Sequence, residues 1–329
     1  GTIPNVVDDN DTVNGNPAEL GVSVTITLSS VVNPTVSTGG ITLDPATGVV
    51  TVDPMTPPGV YTVPYEICAV APNGTSCNST TVTVSVPSDI VANPETVIVD
   101  GTTGGDSPNI VDTNDILNGS PAVLVGPGNT VTITASSVVN PTVPTGGITL
   151  NPATGVVTVD PMTPPGDYPV EYTICSVVDP AVCSTTTSTV TVPSVIEAVN
   201  DPLIVSNGST GESFSDVIAN NDTLNGNPAV LTGATPNVTV TSVVDSAPGD
   251  GVSLDPATGV VIVDPMTPPG TYTIDYTIAS IEDPTVTDPA TVTVTVPATV
   301  VANIDTATID GTTGGTIPNV VDDNDTVNG

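Results

Sequence analysis

Aspartate is concentrated in one short segment that recurs along the chain, and carboxylate oxygens are the ligands that calcium prefers. The first copy reads Asp8-Asp9-Asn10-Asp11, and the later copies keep the Asn-Asp pair. The acidic residues that we take as calcium-ligand candidates are Asp8, Asp9, Asp11, Asp112, Asp115, Asp222, Asp322, Asp323 and Asp325. The segment does not match the EF-hand loop, and an Asn-Asp pair more often hydrogen-bonds to its own backbone in a turn. Calcium is the one cofactor considered, and plain turn chemistry is the alternative.

Cysteine is the second residue type of interest, because it can form disulfides or bind a metal. The four cysteines form two close pairs, Cys68 with Cys77 and Cys175 with Cys183. In the third unit the equivalent positions hold Ala279 and Thr287, as expected if both partners serve only as one bond. Two thiolates without histidine fall short of a zinc shell. The pairs therefore predict two disulfides and an oxidising compartment.

Tyrosines also come in pairs, each with a spacing of four residues, which on a strand places both rings on one face. The pairs are Tyr61 with Tyr65, Tyr168 with Tyr172, and Tyr272 with Tyr276. One interpretation is a platform on which sugars stack. The other, which their identical placement favours, is core filling with one hydroxyl tied to the backbone in the manner of a tyrosine corner.

The charge balance excludes most other chemistry, because the chain has no lysine, arginine or histidine against 35 acidic residues. Nucleic-acid binding and attraction to anionic lipid need cationic side chains. Histidine-based acid–base catalysis and Schiff-base chemistry are excluded for the same reason. A paired-carboxylate glycosidase site is disfavoured because the acids are spread through the turns of every repeat. We therefore predict a protein that is not an enzyme, binds no nucleic acid and does not insert into a membrane.

Internal repeats decide the architecture that carries these residues. The Asn-Asp segment begins at Asn10, Asn114, Asn221 and Asn324, so successive units are 104, 107 and 103 residues apart. A second signature, Asp-Pro-Ala-Thr-Gly leading to Pro-Met-Thr-Pro-Pro-Gly, begins at Asp44 and recurs in the next two units with Asn or Asp first. Residues 1–15 and 315–329 are the same string, which indicates one period of a longer array.

Each unit has the alternating apolar and polar pattern of β-strands with one buried face, as in residues 22–28, 81–86 and 291–296. About seven strands in about 100 residues, with no convincing amphipathic helix, are typical of an immunoglobulin-like sandwich. We predict an all-β tandem array of Ig-like antiparallel β-sandwich repeats that forms an extended rod. The predicted units are 1–87 (repeat 1, without its N-terminal strand), 88–193 (repeat 2), 194–297 (repeat 3) and 298–329, the start of a fourth.

The whole chain resembles the tandem Ig- or cadherin-like repeats of giant Bacteroidetes surface adhesins, and is most similar to the SprB-type gliding-motility adhesins. Five motifs carry the resemblance: residues 91–93 (Val-Ala-Asn), 101–104 (Gly-Thr-Thr-Gly), 221–226 (Asn-Asp-Thr-Leu-Asn-Gly), 148–155 (Ile-Thr-Leu-Asn-Pro-Ala-Thr-Gly) and 166–175, with its two tyrosines and final cysteine. The resemblance covers the repeat shaft only. It implies type IX secretion, attachment to the outer membrane, and gliding and secretion machinery as partners.

The resemblance also suggests Asp-Ser/Thr-apolar O-glycosylation sites at Thr12, Thr223 and Ser246, although ordinary turn residues are the favoured interpretation of any single one. The expected function is the shaft of an extracellular adhesin filament. Its partners would be further repeats of the same chain, and surfaces or polysaccharide bound through a separate tip. The alternatives are a static surface-layer or matrix fibre, spacer repeats of a secreted polysaccharide-degrading enzyme, and a calcium-dependent cell–cell binding module.

Overall fold

The fold was described from a computed structural model of the chain. The structure describes residues 1–29, 40–71, 76–141, 146–205, 208–215, 217–246, 248–319 and 324–329. Strands dominate these residues, and the one helix with named bounds, α1, covers Val217–Asn221. The chain is therefore all-β, as the sequence predicts.

The described residues of repeat 1 form eight strands, in two three-stranded sheets and a two-stranded ribbon. The strands are β1 (Thr2–Ile3), β2 (Thr12–Val13), β3 (Asn16–Pro17), β4 (Val24–Ser29), β5 (Ile41–Leu43), β6 (Val50–Val52), β7 (Gly59–Ala69) and β8 (Cys77–Val86). The sheets have the orders β1-β6-β5 and β4-β7-β8, and β2 pairs with β3.

In the part of repeat 2 that the structure describes there are ten strands, because two strands precede the counterparts of those in repeat 1. The strands are β9 (Ile90–Val91), β10 (Thr96–Ile98), β11 (Gly105–Asn109), β12 (Ile116–Leu117), β13 (Ser120–Pro121), β14 (Val131–Val138), β15 (Ile148–Asn151), β16 (Val156–Val159), β17 (Gly166–Ser176) and β18 (Cys183–Val192). The sheets have the orders β10-β18-β17-β14, β11-β16-β15 and β13-β12-β9.

Repeat 3 has the same plan, with α1 in place of the turn that precedes β12 in repeat 2. Its strands are β19 (Ile196–Glu197), β20 (Asp201–Ile204), β21 (Glu212–Phe214), β22 (Thr223–Leu224), β23 (Asn227–Pro228), β24 (Val238–Asp245), β25 (Val252–Leu254), β26 (Val261–Val263), β27 (Gly270–Ser280) and β28 (Thr287–Val296). Its sheets are β20-β28-β27-β24, β21-β26-β25 and β19-β22-β23. The C-terminal residues add one pair, β29 (Val300–Val301) with β30 (Thr326–Val327).

Alternation along the long strands builds one core in each repeat. In β17 the side chains of Tyr168, Val170, Tyr172 and Ile174 are buried, whereas the intervening Glu171 is exposed. Buried residues of the opposite sheet, such as Val157 of β16, belong to the same cluster. Two sheets that share one core in this way form a β-sandwich.

Two details differ from the sequence-based expectation. The described residues of repeats 2 and 3 form ten strands each rather than about seven, because short two-residue strands flank the turns at Asn118-Gly119 and Asn225-Gly226 and are too brief for alternation to reveal. The sandwich is also not purely antiparallel, since β10 lies parallel to β18 and β20 lies parallel to β28. A parallel partner at that edge is a long-range pairing that local patterns cannot indicate.

Candidate functional site

In repeats 2 and 3, the aspartate of the Asn-Asp pair connects the start of its repeat to a core tyrosine. In repeat 2, Asp115 is 1% exposed, and its Oδ1 accepts a hydrogen bond from the backbone N–H of Asn93 at 2.7 Å. Its Oδ2 accepts one from the Tyr172 hydroxyl at 3.1 Å. The sequence suggested a local turn role, but this carboxylate binds a backbone group 22 residues earlier.

Repeat 3 has the same arrangement with a second buried acid beside it. Asp222 accepts hydrogen bonds from the Val199 N–H at 2.7 Å and the Tyr276 hydroxyl at 2.9 Å. The same hydroxyl lies 3.1 Å from Oδ2 of Asp201, which is also buried. Because one hydroxyl has a single proton, it cannot donate fully to both carboxylates at once.

Burial sets the ionisation of these acids. Desolvation raises the pKa of Asp115 to about 6 and that of Asp222 to about 6. Desolvation also raises the pKa of Asp201. Glu95, which occupies the position of Asp201 in repeat 2, has its pKa raised to about 7 by desolvation and then by the charge of Asp115. Both complete repeats therefore place two acids that resist ionisation beside one tyrosine.

The remaining calcium candidates lie in less enclosed places. In repeat 1, the Tyr65 hydroxyl donates to Asp11 Oδ2 at 2.8 Å. Asp8 and Asp112 accept the backbone N–H groups of Leu20 and Leu124 at 3.0 and 2.7 Å. Asp9 is exposed. Asp325 accepts the Asn303 N–H at 2.7 Å, whereas Asp322 and Asp323 lie outside the described residues.

These donor sets fit calcium poorly at the most buried acids. A calcium ion takes six to eight oxygen ligands, whereas Asp115 and Asp222 each receive a backbone N–H and a hydroxyl proton. Glu95 has a buried Oε1 without a hydrogen-bond partner, which is one free oxygen at the edge of the cluster in repeat 2. Calcium binding by these residues stays a prediction.

The cysteines form the two expected bonds. Cys68 is joined to Cys77 and Cys175 to Cys183, with Cα–Cα distances of 4.0 and 4.1 Å. Each pair lies directly opposite across the long hairpin, β7 with β8 or β17 with β18. Glu66 lies near the first pair, but sulfur atoms joined in a disulfide do not bind a metal as thiolates.

The tyrosines fill the core, as their placement indicated. The first tyrosine of each pair donates its hydroxyl to a proline carbonyl four residues earlier, Pro57, Pro164 or Pro268, at 2.7 to 2.9 Å. The second tyrosine of each pair donates its hydroxyl to the aspartate of the Asn-Asp pair, which is half-buried in repeat 1 and buried in repeats 2 and 3. Both hydroxyls are thus engaged within the repeat, which argues against a sugar-stacking platform. Of the suggested glycosylation positions, Thr12 and Ser246 are exposed and Thr223 is half-buried.

A third recurring element lies where consecutive repeats meet. Asn225 is fully buried and has a left-handed backbone, with φ of 49°. Its Nδ2 donates to the carbonyl oxygens of Thr163, in repeat 2, and Pro193, both at 3.1 Å. Its Oδ1 accepts the Val195 N–H at 2.7 Å. One side chain therefore joins the preceding repeat, the linker and its own repeat.

The same contacts occur at the other two junctions. Asn118 donates to the carbonyls of Thr56 and Pro87, and Asn328 donates to those of Thr267 and Pro297. The glycine that follows each asparagine lies on a methionine of the preceding repeat, Met55, Met162 or Met266, whose φ is 63 to 66°. Non-glycine residues rarely adopt such φ values, so three methionines in this conformation mark a built contact surface. We call each Asn-Gly pair a plug and each Met-Thr pair a socket.

Sequence reasoning did not predict the plug, the socket or the second acid of each cluster. The recurrence of Asn-Gly and Pro-Met-Thr was visible, but they lie about 60 residues apart and only the structure brings them together. The second acid, Glu95 or Asp201, lies at the same offset after the first residue of its unit (95 − 88 = 7 and 201 − 194 = 7), which is the signal that could have revealed it.

No protein-family model and no curated protein sequence matches the chain. Among solved structures, the human desmocollin-1 ectodomain is 12% identical, with a TM-score of 0.24, over 83% of this chain and 54% of that chain. Drosophila N-cadherin EC1-4 is 12% identical with a TM-score of 0.27, over 83% and 66%. An endo-fucoidan hydrolase of glycoside hydrolase family 107 is 14% identical with a TM-score of 0.25, over 83% and 39%.

The chain thus spans about half to two thirds of the length of the first two of these structures. At such scores the similarity carries no argument about function, and the β-sandwich assignment rests on the strand pairing and the cores. Among the described residues, no helix is long and apolar enough to cross a membrane.

Proposed function

We propose that this chain forms part of the shaft of a large extracellular adhesin filament that serves gliding motility and surface attachment. The observation that carries the proposal is the junction, which recurs three times with the same plug, socket and linker contacts. A buried hydrogen-bonded contact between consecutive repeats transmits force with a fixed geometry, which is what a shaft requires. The part of the proposal that concerns gliding motility rests on the resemblance to SprB-type repeats.

The composition supports a mechanical rather than a catalytic role. The chain contains no cationic side chain, and its buried acids are engaged by tyrosine and backbone groups rather than facing a cleft. Two disulfides fit an oxidising, extracellular location. We further propose type IX export, outer-membrane attachment and contact with the gliding machinery, with adhesion carried by a separate tip.

Antibody-coated beads on living cells test the proposal. Latex beads carrying antibody against residues 1–329 should bind and move along the cell surface. Cells that lack the gene are the matched control and should not bind the beads. Beads that bind but stay fixed would refute the motile role and favour a static surface layer. Beads that never bind would refute surface attachment and favour a released protein, such as an enzyme with spacer repeats.

Calcium binding is proposed separately for the acidic turns. In repeat 2 the free Oε1 of Glu95 would supply one ligand, whereas Asp115 keeps its hydrogen bonds from the Asn93 N–H and the Tyr172 hydroxyl. Isothermal titration with Ca²⁺ and melting in the presence of a chelator test this. A binding isotherm that Glu95→Gln weakens would support the site, whereas an unchanged melting temperature and no heat of binding would refute it.

A further inference from the structure

The two residues of each plug form a dipeptide that can react with itself. An asparagine followed by glycine readily loses its side-chain amide, because the glycine nitrogen reaches the asparagine Cγ without hindrance from a Cβ. Asn118-Gly119 and Asn225-Gly226 are such pairs. Each forms the two-residue turn of a short hairpin, between β12 and β13 or between β22 and β23. A labile dipeptide therefore lies in the contact that joins consecutive repeats.

The closed junction holds the amide away from this reaction. The side chain of Asn225 is fully buried and makes three hydrogen bonds, to two carbonyl oxygens and one backbone N–H. Asn118 makes the same three bonds at the first junction. Gly226 packs on the preceding repeat, since a Cβ at that position would lie 3.5 Å from Cγ of Met162. Rotation of the Asn225 side chain towards the Gly226 nitrogen would break all three bonds.

The reaction removes the donor on which the junction depends. The Gly226 nitrogen forms a bond to Cγ of Asn225, the bond from Cγ to Nδ2 breaks, and the Gly226 amide proton leaves with that nitrogen as ammonia. Water then opens the resulting succinimide ring and gives either aspartate or isoaspartate at position 225. The isoaspartate product also adds one methylene to the backbone of a two-residue turn.

The product does not fit the socket. In the place of Nδ2, a carboxylate oxygen would face the carbonyl oxygens of Thr163 and Pro193 at 3.1 Å, which brings three acceptors together without a donor. The Thr163 hydroxyl is already used, because it donates to the Asp160 carbonyl at 2.6 Å. The chain has no lysine, arginine or histidine that could neutralise a buried charge. A junction that has lost its amide therefore closes less favourably than before.

We propose that Asn118 and Asn225 are modification sites that deamidate when their junction opens, and that the product prevents the junction from closing again. While the plug lies in its socket the amide is protected, so the reaction is confined to junctions opened by load or heat. Each event leaves one joint between repeats permanently open. The inference concerns the chemistry of the junction and holds for any array of these repeats, whether or not it is a motile adhesin.

Isoaspartate formation in the whole chain tests the proposal. The protein is incubated at pH 8 and 37 °C, folded and in concentrated urea. Isoaspartate is then labelled with protein isoaspartyl methyltransferase and located by mass spectrometry of peptic peptides. We expect deamidation at Asn118 and Asn225 to be at least about tenfold slower in the folded chain, because only the opened fraction reacts. Equal rates in the two states would overturn the proposal.

Two matched variants show whether the socket is the source of the protection. Met162→Ala removes the side chain that packs on Gly226, and Met55→Ala removes the one that packs on Gly119. Each variant should accelerate deamidation by at least about threefold at the asparagine of its own junction and leave the other asparagine unchanged. Acceleration at both asparagines, or at neither, would overturn the proposal, because the protection would then not come from the socket.

The Asn225→Asp variant tests the product directly. In differential scanning calorimetry at pH 7.5, its melting temperature should lie at least about 5 °C below that of Asn225→Gly, which lacks the amide but adds no charge. The difference should narrow as the pH falls towards 4, because a protonated carboxyl can donate to one of the two carbonyls. A melting temperature equal to or above that of Asn225→Gly at pH 7.5 would overturn the proposal that the product keeps the junction open. None of these outcomes bears on bead movement.

Discussion

Substitution of the junction asparagine Asn225 should lower the free energy of unfolding by more than the small size of its side chain would suggest. Asn225 is fully buried and its side chain makes three hydrogen bonds, to Thr163, Pro193 and Val195. Glycine is the informative substitution because it adopts the left-handed φ without strain and removes only the amide. Asn225→Gly therefore isolates the side-chain contacts of the plug.

The expected cost follows from those contacts. Each intramolecular hydrogen bond contributes about 1 kcal/mol net, and groups left buried without a partner add to the loss. Glycine also removes the strain of the left-handed backbone conformation, and this offsets about 1 kcal/mol of the loss in stability. The net destabilisation should be about 2 to 3 kcal/mol, which for a domain of this size lowers the melting temperature by roughly 10 to 20 °C.

Differential scanning calorimetry of the whole chain measures this shift, and its matched control is Asn14→Gly. Asn14 has the same backbone conformation but is exposed, and among the described residues its side chain has no hydrogen-bond partner. Its substitution should change stability by less than about 0.5 kcal/mol. Equal shifts for the two variants would refute the reasoning, because the side-chain contacts at the junction would then contribute nothing.

Three further predictions concern the interior of the repeats. Because burial raises the pKa of Asp222 to about 6, its ionised form destabilises the fold above that pH, and stability is gained as pH falls towards the unfolded value near 4. Urea unfolding at pH 7.5 and pH 5 should show a gain that is about 1.4 kcal/mol smaller in Asp222→Asn than in the unmodified chain, because Asp201, Asp115 and Glu95 still contribute in the variant; an equal gain in the two proteins would contradict this. Tyr276→Phe removes a hydroxyl shared by two buried acids and should cost about 2 kcal/mol in the same assay, against about 1 kcal/mol or less for Tyr272→Phe, whose hydroxyl meets one carbonyl. Replacing Cys175 and Cys183 together by alanine should destabilise repeat 2 by about 2.5 kcal/mol and leave repeat 3, which has no cysteine, unchanged; calorimetry of the unmodified chain in reducing buffer should destabilise repeat 2 equally and repeat 1 as well, because the Cys68–Cys77 bond is also reduced.

The sequence by itself determined the fold class and the local chemistry. Alternation along strands such as β17 depends only on the period of two, so the order of apolar and polar residues is enough to assign the buried face. The disulfides followed from the paired loss of both cysteines in repeat 3, and the tyrosine–proline contact spans only four residues. Patterns that act over a few residues, or that repeat, can be recognised without knowing the tertiary contacts.

Only the tertiary structure decided which distant residues meet. The pairing of Asp222 with Tyr276, the insertion of Asn225 under Thr163 and the parallel edge strands all join residues 50 or more positions apart. The sequence does not distinguish an aspartate in an exposed turn from an aspartate that is buried against a tyrosine, because the two differ only in the residues that the fold places around them. The physical reason is that long-range contacts and desolvation depend on the packing of the two sheets and the junctions, which no short pattern encodes.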